Sequence, residues 1–261
     1  MPLDPGFMRH LRACDSAELP GDRLPFLVGG IQAGWVKRPI AAALAPFPAI
    51  AAGPKGIDLT DPTALPGIAE ALAHRGFCRW RREAFDVRSA NGTVLAQIDR
   101  GAIPVFGIEA TGVHVNGLVH RADGLHVWVA RRAADKALDP GKLDHIVAGG
   151  CPAGLSPMET LIKESAEEAA IPAALAATAR HVGEIRYAME RPEGLRRDRL
   201  HCYDLDLPED FVPHAADGEV ESFELWPIDR VFATVRDTDD FKFNVNAVLV
   251  DLFRRLGMIA L

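Results

Sequence analysis

The stretch "AGGCPAGLSPMETLIKESAEEAAIP", Ala148 to Pro172, decides how this chain is read. Within it Ser156-Pro157-Met158-Glu159 places Ser at an N-cap, Pro at the first helical position and Glu three residues after Ser, so a helix closed by a capping box is predicted to begin where the Gly-rich loop ends. At about 100° of rotation per residue, Glu164, Glu167 and Glu168 share one face, while Met158, Leu161, Ile162, Ser165 and Ala169 form a stripe toward a core. Carboxylates four residues apart, as Glu164 and Glu168 are, cost about 0.2–0.5 kcal/mol in an isolated helix. A divalent cation removes that repulsion. Mg2+ favours carboxylate oxygens and keeps positions for water and substrate phosphate. A solvated acidic helix face has the same spacing, so the preceding loop has to discriminate between the two.

Outward from this helix the pattern is mixed. Downstream of Thr111, "VHVNGLVHR" and "LHVWVARR" flank Asp123-Gly124 as a hairpin, and a second β-rich run covers "VGEIRYAMERPEGLRRDRLHCYDLDL" and "EVESFELWPI". With helices at Met158 to Ala169 and Val245 to Leu256, these segments predict a mixed sheet with helices packed on it. The upstream part reads as a smaller α/β unit. It has a hairpin turning at Gly29-Gly30, a helix ended by Gly76 and two strands around Asn91-Gly92. The fold class is therefore α/β (α+β), divided into residues 1–108 and 109–261.

The composition excludes several classes. At 261 residues and 48% hydrophobic content, the chain has enough apolar surface for packed cores. A net charge of -7 with no basic face argues against nucleic-acid partners. Cys14, Cys78, Cys151 and Cys202 are scattered without a CxxC pair, so neither a disulfide framework nor a zinc finger is expected. No segment reaches the roughly 18 apolar residues of a membrane span, and the N-terminus lacks a signal-like apolar run. The expectation is a cytoplasmic protein with no membrane partner, and a homodimer is the assembly allowed for.

The loop and helix together resemble the signature of Nudix hydrolases: Gly, five residues, Glu, seven residues, then Arg-Glu-aliphatic-x-Glu-Glu-x-Gly-aliphatic. Anchored on "KESAEEAAI", Lys163 takes the Arg place, Glu164, Glu167 and Glu168 the metal-binding Glu places, Ile171 the last aliphatic place and Gly149 the first Gly. Leu155, Ser165 and Ala170 depart from the pattern, at the first Glu, an aliphatic position and the second Gly. A wider likeness takes in "GVHVNGLVHRADGLHVWVARRAADK", "DGEVESFELWP" and "DDFKFNVNAVLVDLF". It resembles the Nudix branch attached to fungal thiamine pyrophosphokinases and found in plant plastid proteins, which carries an N-terminal domain of unknown function and commonly lacks the first Glu. Residues 1 to about 108, including "PFLVGGIQAGWV", resemble that domain.

The resemblance implies an α-β-α sandwich and hydrolysis of a diphosphate-linked small molecule by metal-activated water, with Mg2+ or Mn2+ as cofactor. Thiamine diphosphate and its oxy or oxo forms are the implied substrates. An ADP-ribose-type pyrophosphatase and a catalytically silent diphosphate-binding module are the alternatives, and an isopentenyl diphosphate isomerase is disfavoured for want of a proton-relay Cys and a His-rich metal site. Gly149, Glu164, Glu167 and Glu168 are the expected metal ligands, with Lys163 orienting the carboxylates. The candidate base is Glu219, with Glu221 as its competitor on the same strand face. Diphosphate contacts are sought among Arg131, Arg132, Lys142 and Lys242, because an anionic protein must place cations locally. His114, His120 and His126 read as packing or surface residues, and Cys151 as a small buried one.

Overall fold

A computed structural model describes residues 3–135, 138–215 and 218–259. The N-terminal part runs α1 (Pro5–Cys14), β1 (Arg23–Val28), β2 (Ile31–Lys37), α2 (Arg38–Leu44), β3 (Ile50–Gly53), β4 (Gly56–Leu59), α3 (Leu65–His74), β5 (Ala84–Arg88), β6 (Val94–Asp99) and α4 (Ile103–Phe106). Strands β2-β1-β4-β3 form one sheet and β5-β6 a separate hairpin. The hairpin turns are where the sequence put them, at Gly29-Gly30 and at Gly92, each with positive φ. Phe26, Leu44, Leu65, Leu72, Val87 and Phe106 are buried in the core of this part.

The C-terminal part runs β7 (Glu109–Arg121), β8 (Gly124–Arg132), β9 (Leu143–His145), β10 (Val147–Gly150), α5 (Pro157–Ala169), α6 (Ala173–Ala176), β11 (Arg180–Arg191), β12 (Gly194–Asp206), β13 (Val220–Pro227), α7 (Ile228–Asp237) and α8 (Phe243–Arg255). The sheet order is β11-β12-β7-β8-β13, with β10 also on β7 and β9 on β8. Strand β12 pairs parallel to β7 and the other pairings are antiparallel, so the sheet is mixed. Strand β7 is buried from Val113 through Val119, as a central strand covered on both faces must be. One core lies between the sheet and α5, with Val113, Val115, Leu161, Ala169 and Tyr203. The other holds Leu118, Val129, Val231, Leu249 and Phe253 under α7 and α8. The result is an α-β-α sandwich preceded by a smaller α/β region.

Helix α1 lies within residues 1–108, yet its Phe7 packs edge-on against Phe232 and beside Phe253, in the core under α7 and α8. A second departure from expectation concerns β13. A bulge between Val220 and Ser222 interrupts its pairing with β8, so the alternation that would put Glu219 and Glu221 on one face does not hold there.

Candidate active site

Helix α5 starts as its sequence dictates. The Ser156 hydroxyl accepts from the Glu159 N–H at 3.2 Å, and the Glu159 carboxylate accepts from the Ser156 N–H at 2.8 Å, closing the capping box. The three motif glutamates are then graded in depth rather than presented on one solvated face. Glu167 is exposed, Glu164 is half-buried and Glu168 is buried among Thr160, Leu161, Ser165 and Ala169. Glu168 sits where the polar face meets the core, and the Ala148 N–H of β10 draws its carboxylate inward at 2.9 Å.

Glycine at 149 has a direct reason. A Cβ there would lie 2.6 Å from both Cγ and Cδ of Glu164, so the carboxylate rests on the glycine backbone. Lys163 pairs with Glu167 and, at 3.3 Å, with Glu164. Burial raises the Glu164 carboxyl pKa; Lys163 opposes this, while Glu167 and Glu219 add to the rise. The Glu168 carboxyl is raised well above its ordinary value, first by burial, against the Ala148 hydrogen bond and with Asp144, Glu164 and Glu219 adding.

A narrow cleft of about 10 Å3 opens beside Glu168, lined also by Arg132, Asp144, His145, Ala148 and Glu219. It has room for one water or ion and no more. Two of its lining residues belong to a group that the sequence did not reveal. His114, Asp144 and His145 bring their ligand atoms within 4.8 Å of one another. The two Nδ1 atoms are 2.9 Å apart, and Asn244 lies 3.4 Å from His114 Nε2. Among the described residues, the buried Nε2 of His145 has no hydrogen-bond partner.

Burial lowers both imidazoles, His145 to about 4, which keeps the rings neutral with lone pairs to offer a ligand. Burial alone would raise the Asp144 carboxyl, but Lys242, His114 and Arg132 outweigh it and hold it well below the usual carboxylate range. Crowded carboxylates kept from water, beside neutral imidazoles, suit a hard or borderline divalent cation. The donors for Mg2+ or Mn2+ are present.

The expected diphosphate cations are distributed differently from the sequence reading. Lys242 is not on a rim: it is buried at the N-cap of α8, and its Nζ donates to Asp144 at 3.1 Å. Arg132 reaches the cleft, but the protein holds it there, through Asp144 at 2.7 Å and the carbonyls of Leu138 and Asp139. Arg131 donates to the Gly141 carbonyl and Lys142 to that of Asp239, both away from the cleft lining. Glu219 lines the cleft and Glu221 does not. Cys151 is buried and burial pushes its thiol up, so it is no nucleophile.

His126 is buried and His120 is exposed beside Asp206, as read, but His114 belongs to the polar group of Asp144 and His145. Asp144 and His145 were missed because "KLDHIV" carries no spacing signal. The pairings of β9 with β8 and of β10 with β7 bring these residues beside His114.

Comparison with known proteins fits this geometry. The NUDIX domain family model matches residues 110–246. The chain is 44% identical over 180 residues to "Nudix hydrolase 20, chloroplastic" of Arabidopsis thaliana, covering 69% of this chain and 48% of that protein. Likeness to "Nudix hydrolase 24, chloroplastic" of the same plant is also 44%, over 69% of this chain and 49% of that one. The chain thus spans about half the length of these curated relatives. In fold it is similar to DR0079 from Deinococcus radiodurans, with a TM-score of 0.50 and 21% identity over 66% of this chain and 98% of that chain.

Both plant relatives are chloroplastic, which overturns the expected cytoplasmic location; composition does not fix a compartment. Among the described residues no helix is long and apolar enough to cross a membrane. With the matched domain covering more than half of its residues, the chain belongs to the Nudix family.

Proposed function

We propose that this chain is a Mg2+- or Mn2+-dependent diphosphatase that cleaves a diphosphate-linked small molecule. One observation carries the proposal: Glu168, buried and raised well above its ordinary pKa, shares its surroundings with Glu164, Glu219 and Asp144. Glu168, Glu219 and Asp144 line the cleft and Glu164 stands one helical turn from Glu168; Lys242 and Arg132 balance Asp144, and a cation would balance the glutamates. Glu164, Glu168 and the Gly149 carbonyl would hold the metal, with Glu167 completing the set through water. When bound, the ion neutralises the diphosphate and lowers the pKa of a bound water.

The remaining work falls to the chain's own groups. Glu219, which lines the cleft, accepts the proton of the attacking water. Lys163 pairs with Glu164 and Glu167 and so keeps the carboxylate row from splaying. Arg132 keeps two guanidinium N–H groups beyond its three protein bonds, and these are its means of touching a phosphate oxygen. Lys242 supports the cleft through Asp144 rather than binding substrate.

For the substrate, the likeness to the thiamine pyrophosphokinase-associated branch favours thiamine diphosphate or its oxy and oxo forms, released as the monophosphate and phosphate. Mg2+-dependent turnover, read as orthophosphate from thiamine diphosphate and oxythiamine diphosphate and as phosphomonoester products from ADP-ribose and dinucleotides, tests the reading. Oxythiamine diphosphate is expected to be turned over faster than thiamine diphosphate, because a site that bonds the oxo group leaves an amino group unpaired at about 1–3 kcal/mol. A preference for ADP-ribose or a dinucleotide would remove the thiamine reading and keep the diphosphatase. No Mg2+-dependent turnover of any of them would remove both.

A further inference from the structure

The outer ladder of the large sheet carries a second group of metal-ligating side chains, separate from the cleft. His181, Glu184 and His201 bring one ligand atom each to within 4.8 Å of the others. Their meeting depends on a β-bulge. Side chains three apart on a regular strand point to opposite faces, so His181 and Glu184 of β11 would normally be on different sides of the sheet. Here His181 pairs with Tyr203 and Gly183 with Cys202, which leaves Val182 as the extra residue and returns Glu184 to the face of His181. Glu184 then sits directly opposite His201, with His201 Nδ1 3.5 Å from its Oε1. The His181 and His201 rings are 5.6 Å apart between centroids, and His181 also meets Tyr203 edge-on at 5.2 Å.

We propose that His181, Glu184 and His201 form a surface site for a borderline divalent transition-metal cation of the Zn2+ type. Two imidazoles and a single carboxylate, without the further carboxylates that crowd the cleft, are a donor set that Zn2+ binds more tightly than Mg2+, which prefers oxygen. Three protein ligands leave one tetrahedral position for water. Donors about 2.0–2.2 Å from a tetrahedral Zn2+ lie about 3.4 Å from one another, close to the separation that His201 and Glu184 already have. His181 is exposed and has room to close the remaining gap by side-chain rotation.

The neighbouring charges help to orient the ligands. Arg186 lies 3.4 Å from the other carboxylate oxygen, Oε2, and so leaves Oε1 toward the imidazoles. Arg199, opposite Arg186, is occupied by Glu109 at 2.8 Å and does not compete for Glu184. Burial, with His181, Arg199 and Arg186 adding, outweighs Glu184 and lowers His201, which keeps the ring in its neutral, metal-binding form near neutral pH. A cation there staples the edge strand β11 to β12 at the bulge, where the ladder is otherwise interrupted.

The test uses the full chain, stripped with chelator and desalted. Zn2+ is titrated against a chromophoric chelator, and Co2+ binding is followed by its visible absorption. Wild type is expected to take up one Zn2+ more than His181→Ala, Glu184→Gln or His201→Ala, or to bind that ion at least about tenfold more tightly. The Co2+ spectrum is expected to lose one component in each variant. Phosphate release with Mg2+ should be unchanged in His181→Ala, because none of the three residues lines the cleft. His181→Ala removes an exposed side chain, so loss of folding does not confound it. Equal stoichiometry, affinity and Co2+ spectra in wild type and His181→Ala would overturn the site.

Discussion

The backbone N–H of Ala148 donates to Oε2 of Glu168 at 2.9 Å, tying strand β10 to the inner face of α5. Burial raises the pKa of this carboxyl well above normal, against the lowering effect of the hydrogen bond. The sign of the consequence follows from linkage. In metal-free protein its contribution to stability is fully present below the ordinary Glu pKa of about 4.3 and is lost as pH rises through the folded value. Mg2+ takes the ionised form, so the rise in melting temperature on adding saturating Mg2+ should grow from mildly acidic to mildly alkaline pH. Paired melts in Mg2+ and in chelator across that range measure it. A Mg2+ increment that stays flat with pH would sink the assignment, and Glu168→Gln should make it flat.

Activity should separate three of the helix carboxylates. Glu164→Gln and Glu168→Gln each remove a carboxylate proposed to hold the cation, and loss of one such electrostatic contact costs about 10²–10³ in kcat. Glu159→Gln is the control, because its carboxylate is committed to the Ser156 cap. It should leave turnover intact and lose only a little helix-start stability. Wild-type turnover with unchanged Mg2+ dependence in both Glu164→Gln and Glu168→Gln would move the metal away from α5.

Ala170 closes α5 in the left-handed region, at φ +53 and ψ +32, where the family pattern has Gly. An L-residue with a Cβ pays about 1–2 kcal/mol in that conformation, whereas Gly adopts it freely at a helix end. Its backbone N–H already accepts this geometry, donating to the Ser165 carbonyl. Ala170→Gly is therefore expected to raise stability by about 1 kcal/mol without changing activity. Urea unfolding decides it, since no gain, or a loss, would mean that the greater freedom of Gly in the unfolded chain cancels the relief.

Much of this architecture was legible because it is local. The capping box at Ser156, the turns at Gly29-Gly30 and Gly92, and the alternation in β7 and β8 are written in neighbouring residues. The depth of Glu168 was not legible, because it depends on a hydrogen bond from a residue 20 positions away. Nor were the ion pairs of Lys242 and Arg132 with Asp144, since charge in sequence does not say whether a partner is buried beside it. Glu219 and Glu221 were tied by a period-two rule that one bulged residue cancels.

The N-terminal region touches the loop that leads into α5, which gives it a testable part in the active site. The Ala153 N–H donates to the Ala84 carbonyl at 2.7 Å and the Gly154 N–H to Asp86 Oδ2 at 3.2 Å. Between them the buried Phe85 ring covers Gly150, where a Cβ would lie 2.6 Å from Cζ, and the Arg100 guanidinium lies 5.5 Å from the ring centre. The hairpin β5-β6 thus fixes the glycine loop from outside the domain that carries the carboxylates. Gly150→Ala should force ring and loop apart, at about 1–3 kcal/mol for an overpacked contact. Because Gly149 and Glu164 follow the loop, kcat should fall as well, by about tenfold if the displacement approaches 1 Å. Phe85→Leu alone leaves a smaller side chain over an unchanged glycine and should cost less activity. Combined with Gly150→Ala it should restore part of kcat, giving a coupling of about 0.5–3 kcal/mol. Strictly additive losses in the double variant would mean that the hairpin rests on the loop without positioning it.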